Sequence, residues 1–560
     1  MSLIKANAVQ IGQSPTATQN FTLAVPSSPD GTIKLARGNA GATTQDVMNV
    51  SNAGVVSFPQ GLGNISNETA IATGSTTARS LANRFADVVN VLDFGADPTG
   101  TASSVSAFNS ALLQGGTIYV PKGTYKLDGK VELTVDSTTL LIGADVTLLL
   151  SNVPATQVPF GNQIHVIADN CSIIGSGSST LLQMSGTSQA NAVGLFHHSG
   201  FTIRDLIIDG NKNNVTAIPD DTFLSGISIV VSGILNDANA IIDNIEIRNF
   251  VHYGINIYGG KANCVRISNC IIHDNGKISD PISVGTGIVV TKNVFSQIVT
   301  NNIVYNNKLN GIIFSSAGNT GGDYVVSNNL CYSNGNNGIF FFEDPSYGSV
   351  PGQGLRNIAV TGNVSTNNTR AGIEFNATNG FLRNATITGN VCTNNTYGLL
   401  VLGQVSPIVV QDINISNNDF KNNGTNVAIN NANNVEGVKI SFTPAIEGTT
   451  TAGTATYLSR SGSFVRNGSI VTFEFEVTWT GHTGTGDIKI IGLPYAGDSN
   501  EPQSIGWVSS NNLTITGQSY ILIVATQDYG LLYSSNNGAS AAVAIDAEAS
   551  LRCSGSYFVN

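Results

Sequence analysis

Five short segments in the middle of the chain share one pattern. They are VTNNIVYNN (residues 299–307), VSNNLCYSN (326–334), VTGNVSTNN (360–368), ITGNVCTNN (387–395) and ISNNDFKNN (415–423). When they are aligned, asparagine fills two columns that lie five positions apart. The first column holds Asn302, Asn329, Asn363, Asn390 and Asn418, and the second holds Asn307, Asn334, Asn368, Asn395 and Asn423. A mostly apolar column between them, with Val304 and Cys331, matches the inward position of a strand.

Each of these units continues into a glycine followed by an apolar residue, where a second strand is expected. Examples are Gly311-Ile312 and Gly372-Ile373, and weaker copies extend upstream to residues 203–211. Short β segments repeated about every 30 residues, with asparagine at the corners, predict a right-handed parallel β-helix in which each coil stacks on the last. We expect the asparagines to be structural, because stacked amides form ladders and asparagine tolerates left-handed turns.

The composition restricts the possible partners. Charged residues make up 11% of the 560 residues and the net charge is -11, which argues against nucleic acid, since phosphate binding needs clustered lysine and arginine. The sequence has no bilayer-spanning apolar run and no secretory signal at its start, so we expect a soluble protein made in a cytoplasm, without membrane insertion. The six cysteines form no Cys-x-x-Cys pair and are expected to be buried and reduced. No spacing indicates a metal site or a cofactor.

The segment upstream of the repeat has a recognisable order of elements. NVLDFGADPTG (90–100) is followed by a short amphipathic helix over about residues 104–113 and by GGTIYVPKGTY (115–125), which reads as strand, turn and strand. The helix is expected to cap the open end of the solenoid, whose strand edges need cover. These motifs resemble the pectate-lyase-superfamily β-helix of bacteriophage tailspike and tail-fibre proteins.

The resemblance extends beyond the β-helix and implies four regions. Residues 1–62 resemble a virion-attachment module, and residues 63–90 read as a linker and neck, in which ARSLANRFADVVNV (78–91) is similar to the neck of such proteins. Residues 91–440 would form the β-helix that binds receptor and carries catalysis. Residues 441–560, with alternating strands such as SIVTFEFEVTWT, are expected to form a β-sandwich-like domain for trimerisation or carbohydrate binding.

An apolar run that ends in two carboxylates marks the candidate site. In NNGIFFFEDPSYG (336–348), Ile339 occupies the inward column of the repeat, so strand alternation predicts that Phe340 and Phe342 face outward. Outward phenylalanines offer either a subunit contact or a flat apolar platform on which a pyranose ring can stack. In the next coil Glu374 and Asn376 share the columns of Phe340 and Phe342.

Paired carboxylates are the first hypothesis for catalysis. Glu374 beside the aromatic platform would be the acid, and Glu343 or Asp344 the base, at roughly 10 Å between backbones. An inverting glycosidase needs two carboxyl groups about 6.5–9.5 Å apart. Because strict alternation would turn Glu343 inward, this hypothesis requires the strand to end at Phe342, as Pro345 suggests. The alternative is that Glu343 and Asp344 only solvate a turn.

Further residues are candidates for substrate binding or for a different reaction. The loop that follows offers Tyr347 and Arg356 as one wall of a groove. The stretch FVHYGINIYGG (250–260) offers His252 and Tyr258, together with Tyr253, and a Tyr, His or Lys base beside an acidic sugar would give a lyase. Catalysis therefore remains open between hydrolysis and elimination.

The resemblance implies a phage tailspike with an enzymatic role. Such a protein would sit on the virion tail, be made in the host bacterial cytoplasm and act outside the target cell. It would form a homotrimer, attach through its N-terminus to a tail or baseplate protein, and depolymerise a bacterial surface polysaccharide as an endo-glycoside hydrolase. The alternatives are a polysaccharide lyase and a receptor-binding fibre without catalysis, because the fold hosts all three.

Overall fold

The computed structural model describes most of the chain. The described residues are 8–11, 21–24, 33–39, 42–51, 53, 55–58, 69–151, 161–186, 190–216, 224–231, 237–277, 285–317, 319–343, 353–378, 380–403, 410–498, 503–505 and 507–559. The chain divides into two compact units, Met1–Val88 and Val89–Asn560. None of the helices in the described part combines the length and apolar character that crossing a bilayer requires.

The first unit is built from short antiparallel strands. Its five-stranded sheet contains Ala8–Ile11, Phe21–Ala24, Ile33–Asn39, Ala42–Val50 and Val56–Ser57 in chain order. A hairpin of Thr69–Ile71 and Ala78–Ser80 leads into the helix Leu81–Phe85. The hydroxyl of Ser80 accepts from the backbone N–H of Asn83 and so caps this helix. The virion-attachment and neck roles of residues 1–90 stay predictions.

Two long sheets with parallel strand pairing dominate the second unit. The first, called the groove sheet, contains eleven strands: Val131–Leu133, Asn162–Val166, Asn191–Phe196, Ser225–Val230, Tyr253–Tyr258, Ile288–Thr291, Ile312–Ser315, Ile339–Glu343, Ala371–Ala377, Tyr397–Leu402 and Thr425–Asn430. Each pairs in parallel with the strand one coil away, as Ile339 does with Ile373. Coil-to-coil pairing of this kind is the architecture of the predicted right-handed parallel β-helix, which is confirmed.

The second sheet, called the long sheet, contains 22 strands among the described residues. They are Val89–Asn90, Thr99–Ser103, Thr117–Val120, Gly123–Leu127, Thr139–Ile142, Val146–Leu150, Ser172–Ile174, Thr180–Met184, Thr202–Asp209, Ile241–Arg248, Arg266–Ser268, Ile271–His273, Phe295–Thr300, Ile303–Tyr305, Gly321–Ser327, Leu330–Tyr332, Gly354–Thr361, Val364–Thr366, Phe381–Thr388, Val391–Thr393, Val410–Ser416 and Ala432–Glu436. The residues that both sheets turn inward form one continuous apolar core.

The predicted capping helix is present as Val105–Leu112. Its Phe108 and Leu112 are fully buried in the β-helix core, and the ring of Phe108 meets that of Tyr125 edge-on at 5.6 Å. Short 3-10 helices lie at Val91–Phe94, Gly177–Ser179 and Lys212–Asn214. The helix therefore closes the core at the start of the solenoid, where unpaired strand edges would otherwise be exposed.

Asparagine ladders join successive coils, as expected from the repeat. In the first ladder each side-chain amide donates to the side-chain oxygen of the next asparagine: Asn302 to Asn329 at 3.0 Å, Asn329 to Asn363 at 3.0 Å, Asn363 to Asn390 at 2.9 Å and Asn390 to Asn418 at 2.9 Å. The second ladder runs from Asn275 through Asn307, Asn334, Asn368 and Asn395 to Asn423. The structural interpretation of these asparagines is confirmed.

The residue before each ladder asparagine explains why asparagine occurs in pairs. Asn301 and Asn328 have φ of 57° and 55°, and Gly362 has φ of 65°. Asparagine and glycine adopt this left-handed conformation most readily. The first residue of each pair thus turns the chain, and the second bonds to the neighbouring coil.

Glycine at or just before the start of most groove-sheet strands permits a tight corner. A Cβ atom on Gly287 would lie 2.5 Å from Cγ1 of Val304, and one on Gly372 would lie 2.7 Å from Cβ of Cys392. Both distances are far below van der Waals contact. Glycine therefore lets the corner pack directly against the interior side chains of the long sheet.

Most cysteine side chains are buried, as expected, but Cys264 is exposed. All cysteines are free, and every one except Cys264 is buried. Burial raises the pKa of the Cys270 and Cys331 thiols to about 12. Cys270 stands where later coils have a ladder asparagine, and its backbone N–H donates to the side-chain oxygen of Asn302.

The C-terminal strands form a β-sandwich, as predicted. One antiparallel sheet holds Ile440–Phe442, Ala455–Asn467, Ile470–His482, Ala549–Phe558 and Trp507–Asn511, and the other holds Ala445–Gly448, Ile488–Ile491, Gly530–Asn536, Gln518–Ile523, Gln503–Ile505 and Ala539–Ala542. A separate apolar core that includes Trp479 and Leu532 lies between them. The role of this domain in trimerisation or carbohydrate binding stays a prediction.

Asn363→Ala should lower the free energy of unfolding by about 2–4 kcal/mol, because it leaves the backbone and side-chain N–H groups of Asn329 without their buried acceptor. Chemical denaturation followed by circular dichroism measures the change. Asn414→Ala is the control, since Asn414 is exposed and its side chain donates only to Glu436 at 3.2 Å; we expect a change below about 0.5 kcal/mol. Equal losses in the two variants would contradict the ladder's stabilising role.

A thiol reagent at pH 8 should label Cys264 alone in the folded protein, because the thiolate is the reactive form and the other cysteines are buried. Mass spectrometry of labelled peptides locates the site, and unfolding in denaturant should expose all six cysteines. Cys264→Ser should remove labelling of the folded protein. Rapid labelling of Cys331 or Cys392 would show that the coils open.

Candidate functional site

Two outward columns run along the groove sheet. The registers place Asn256, Val289, Ile313, Phe340, Glu374 and Leu400 in the first column. They place Tyr258, Thr291, Ser315, Phe342, Asn376 and Leu402 in the second. Each step along a column is one coil, about 4.8 Å. A ligand on this face would therefore meet a regular series of side chains.

A groove of about 240 Å³ lies on this face. Its floor comes from four successive strands, and Thr286, Leu309 and Asn310 on one side and Lys292 and Ala317 on the other form its margins. Four strands span about 14 Å, which is the length of two or three linked pyranoses. Tyr253, Tyr258, Phe340 and Phe342 also line it, so the structure brings four residues that the sequence had offered as candidates together here.

The phenylalanine run alternates as predicted. Phe341 points inward, where its ring stacks on Phe314 at 5.1 Å and on Phe375 at 4.7 Å. Phe340 and Phe342 are on the outer face, with their rings stacked at 5.1 Å. Phe340 is only 9% exposed. Phe342 therefore presents more aromatic surface to the groove than Phe340 does.

The expectation that the strand ends at Phe342 is wrong. The strand runs from Ile339 to Glu343, and Glu343 pairs in register with Ala377. Alternation therefore places Glu343 with the inward residues, and it is 1% exposed. Its carboxylate accepts from the backbone N–H of Thr378 at 3.1 Å, and Gly380 leaves the space that the carboxylate occupies.

Glu343 and Glu374 consequently lie on opposite faces of the groove sheet. Two carboxylates on either side of a sheet cannot flank one glycosidic bond, so this pair does not meet the geometric requirement of the inverting mechanism. Asp344, the other candidate base, and Tyr347 lie outside the described residues.

Glu374 is outward but tightly held. Its side chain is 1% exposed and receives two hydrogen bonds from Arg370, at 2.7 Å from Nε and 3.0 Å from Nη2. Asn376 donates to the same carboxylate at 3.2 Å. The hydrogen bond to Glu374 raises the pKa of the Arg370 guanidinium. The sequence motif did not predict Arg370, although its position four residues before Glu374 is visible in RAGIEFN.

Tyr258 and Lys292 form a second polar pair in the groove. The ammonium group of Lys292 donates to the phenol oxygen of Tyr258 at 2.8 Å and lies 5.0 Å from the centre of its ring. Both residues line the groove. Tyr258 was a predicted site residue, whereas Lys292 was missed because it lies in the turn after the next strand, 34 positions away.

Several other candidates lie away from this groove. His252 is fully buried, and its Nδ1 accepts from the backbone N–H of Leu224 at 3.2 Å, so its placement as a groove-binding residue is corrected. Arg356 belongs to the long sheet, where its guanidinium lies 5.9 Å from the ring of Phe295. His273 also belongs to the long sheet and contacts Asp274 and Glu246. Among the described residues, no cluster of His, Cys, Asp and Glu has the geometry to hold a metal ion.

Residues 88–351 match the family model for rhamnogalacturonase A/epimerase, pectate lyase-like. This part of the chain is similar to that family. The match begins next to Val89–Asn90, the first strand of the long sheet in chain order. It ends beyond the groove-sheet strand Ile339–Glu343. The predicted resemblance to this superfamily is confirmed for the β-helix.

The chain is also similar to larger curated proteins of Azotobacter vinelandii. The chain is 26% identical over 238 residues to mannuronan C5-epimerase AlgE3, covering 40% of this chain and 10% of that protein. It is 26% identical over 234 residues to alginate lyase 7, covering 40% of this chain and 23% of that protein. The chain thus matches less than a quarter of the length of either relative.

A solved tailspike shares the fold along most of the chain. The Dettilon tailspike protein gp208 aligns with a TM-score of 0.58 and 17% identity, covering 89% of this chain and 98% of the tailspike. The A-module of A. vinelandii mannuronan C-5 epimerase AlgE6 aligns with a TM-score of 0.46 and 22% identity, covering 61% of this chain and 79% of that module. At 17% identity the likeness to the tailspike concerns the fold alone.

Arg370→Met should lower the free energy of unfolding by about 2–4 kcal/mol, because it leaves the buried Glu374 carboxylate without its charged partner. Glu374→Gln should cost less, about 1 kcal/mol, since the half-exposed guanidinium can be hydrated. Chemical denaturation of both variants measures the difference. Arg383→Met, which removes a guanidinium from the ring of Phe381, is the matched control; a loss there as large as in Arg370→Met would show that the buried carboxylate is not the cause.

Proposed function

We propose that this protein is a bacteriophage tailspike that binds a bacterial surface polysaccharide in the groove of the groove sheet and depolymerises it. The observation that carries the proposal is the groove itself, which crosses four coils of a rigid solenoid. A site of this length fits consecutive units of a linear polymer better than a small molecule. The tailspike fold along 89% of the chain supports the virion role.

The lining of the groove also suits a saccharide. Tyr258 and Phe342 provide ring surface, and Asn256, Thr291 and Asn310 provide hydrogen-bonding groups beside it. Pyranoses have apolar C–H faces that pack on aromatic rings and hydroxyl edges that need polar partners. The named activities of the curated relatives, alginate lyase and mannuronan epimerase, are consistent with a polysaccharide ligand.

Elimination is the reaction that the groove supports better. In a β-elimination, a base removes the proton beside a sugar carboxylate, the electron pair forms a C=C bond, and the glycosidic C–O bond breaks as its oxygen takes up a proton. In this proposal Tyr258 acts as the base, and Lys292, whose ammonium group lies 2.8 Å from the phenol oxygen, stabilises negative charge on that oxygen or on the sugar carboxylate. The pair thus supplies a base and a cation within one groove.

Hydrolysis is the second candidate, with Glu374 as the acid. Glu374 occupies the column of Phe340, one coil beyond the groove, and it would need to separate from Arg370 to reach a bound chain. The described residues that line the groove include no carboxylate that could act as its base. A hydrolase would therefore need Asp344 or a carboxylate from another subunit.

Homotrimer formation and N-terminal attachment to a tail or baseplate protein belong to the same proposal. The outer face of the long sheet exposes aliphatic side chains in register, including Ile271, Val364 and Val391 at 37–38% exposure. Exposed apolar residues of this kind favour burial against further copies of the chain.

Incubation of the purified protein with bacterial capsules, exopolysaccharides and lipopolysaccharides should shorten one of them and generate ultraviolet absorbance, because elimination leaves an unsaturated sugar. Chain length, reducing ends and absorbance are measured together. Tyr258→Phe should lower the rate by at least about 100-fold while binding is retained. Tyr332→Phe, on the outer face of the long sheet, is the control and should cleave normally.

The other outcomes separate the alternatives. New reducing ends without absorbance, lost in Glu374→Gln but retained in Tyr258→Phe, would establish hydrolysis and overturn elimination. Binding without shortening would make the protein a receptor-binding fibre. Full cleavage in both variants would move the active site away from this groove.

A further inference from the structure

The floor of the groove changes chemical character along its first column. Asn256 is followed in the next three coils by Val289, Ile313 and Phe340, and then by Glu374. Three consecutive apolar residues cover about 10 Å between their first and last backbones. The apolar section of the floor is therefore long enough to meet about two sugar units.

The margins reinforce this apolar section. Leu309 borders it on one side and Ala317 on the other, and both line the groove. Val289 on the floor is 8% exposed and Ala317 at the margin is 6% exposed, so each presents only a small part of its surface to the groove. The result is a recess whose floor offers aliphatic carbon and no hydrogen-bonding group at Val289 and Ile313.

Such a recess discriminates between sugar substituents. A hydroxyl pressed onto aliphatic carbon loses water without gaining a partner, which is unfavourable. A methyl group in the same place removes apolar surface from water, which is favourable. The aromatic ring of Phe342 by itself would accept any pyranose, so the aliphatic residues carry the selectivity.

We infer that the groove selects a saccharide unit bearing a methyl group over Val289 and Ile313. Two kinds of sugar supply such a methyl: a 6-deoxyhexose, through carbon 6, and an O-acetylated sugar, through its acetyl group. The inference rests on the proposed function, since it names the class of polysaccharide that the same groove takes.

The full-length protein is titrated with matched pairs of probes. One pair is an L-rhamnose oligosaccharide and its L-mannose counterpart, which differ by a hydroxyl at carbon 6. The other is an O-acetylated bacterial polysaccharide before and after mild alkaline de-O-acetylation. The methyl-bearing member of at least one pair should bind at least about tenfold more tightly, as one methyl group in an apolar pocket is worth about 10- to 200-fold.

Val289→Thr tests the position directly, because it replaces a methyl with a hydroxyl at nearly constant volume. The binding ratio between the two members of the pair should fall about fivefold or more. Val56→Thr is the matched control: it makes the same change in the strand Val56–Ser57 of the first unit, where Val56 is 50% exposed. That variant should keep the wild-type ratio.

Each outcome decides the inference. Preference for the 6-deoxy member supports carbon 6 as the source of the methyl, and preference for the acetylated member supports the acetyl group. Equal binding of both members of both pairs, or an unchanged ratio in Val289→Thr, overturns the inference while leaving polysaccharide cleavage by the groove intact. Failure to bind or shorten any polysaccharide overturns the proposed function and this inference together.

Discussion

The buried asparagine amides constrain the whole β-helix. Each ladder amide must find partners away from water, and its partners are the equivalent residue of the next coil and a backbone carbonyl, as for Asn363 with Asn390 and Val326. An unsatisfied amide at these corners would cost more than most single packing contacts. The ladders therefore hold successive coils in one register. As a result, equivalent side chains of successive coils line up in columns.

This register explains how a solenoid builds a binding surface. Because a strand alternates strictly, the inward residues stack into a core, as Phe314, Phe341 and Phe375 do, while the outward residues of the same strands align into columns. A groove then arises wherever several consecutive outward residues are small or apolar between taller margins. Because each coil adds about 4.8 Å, a substitution at one column position changes the groove at one place along its length.

The charged side chains in and near the groove differ in sign from the chain as a whole, or are paired where they are buried. The chain is acidic overall, with a net charge of -11, yet the groove lining includes the cation Lys292 and no carboxylate among the described residues. Glu374, one coil beyond the groove, is matched by the guanidinium of Arg370, since a buried carboxylate without a partner is unfavourable. Lys292 therefore gives the groove a local positive charge on an otherwise acidic protein.

The sequence by itself determined the coils, because their determinants are local and repeat: paired asparagines at corners, glycine at the start of most groove-sheet strands and alternation within the strands. It also placed Phe340, Phe342, Glu374 and Asn376 on the outer face. Only the tertiary structure decided that the strand continues past Phe342 to Glu343. Glu343 therefore lies on the inward face. The tertiary structure alone brought Lys292 to Tyr258, buried His252 and separated Arg356 from the groove. These outcomes depend on contacts between coils and on the lengths of the turns that join them, and neither is encoded in the repeat.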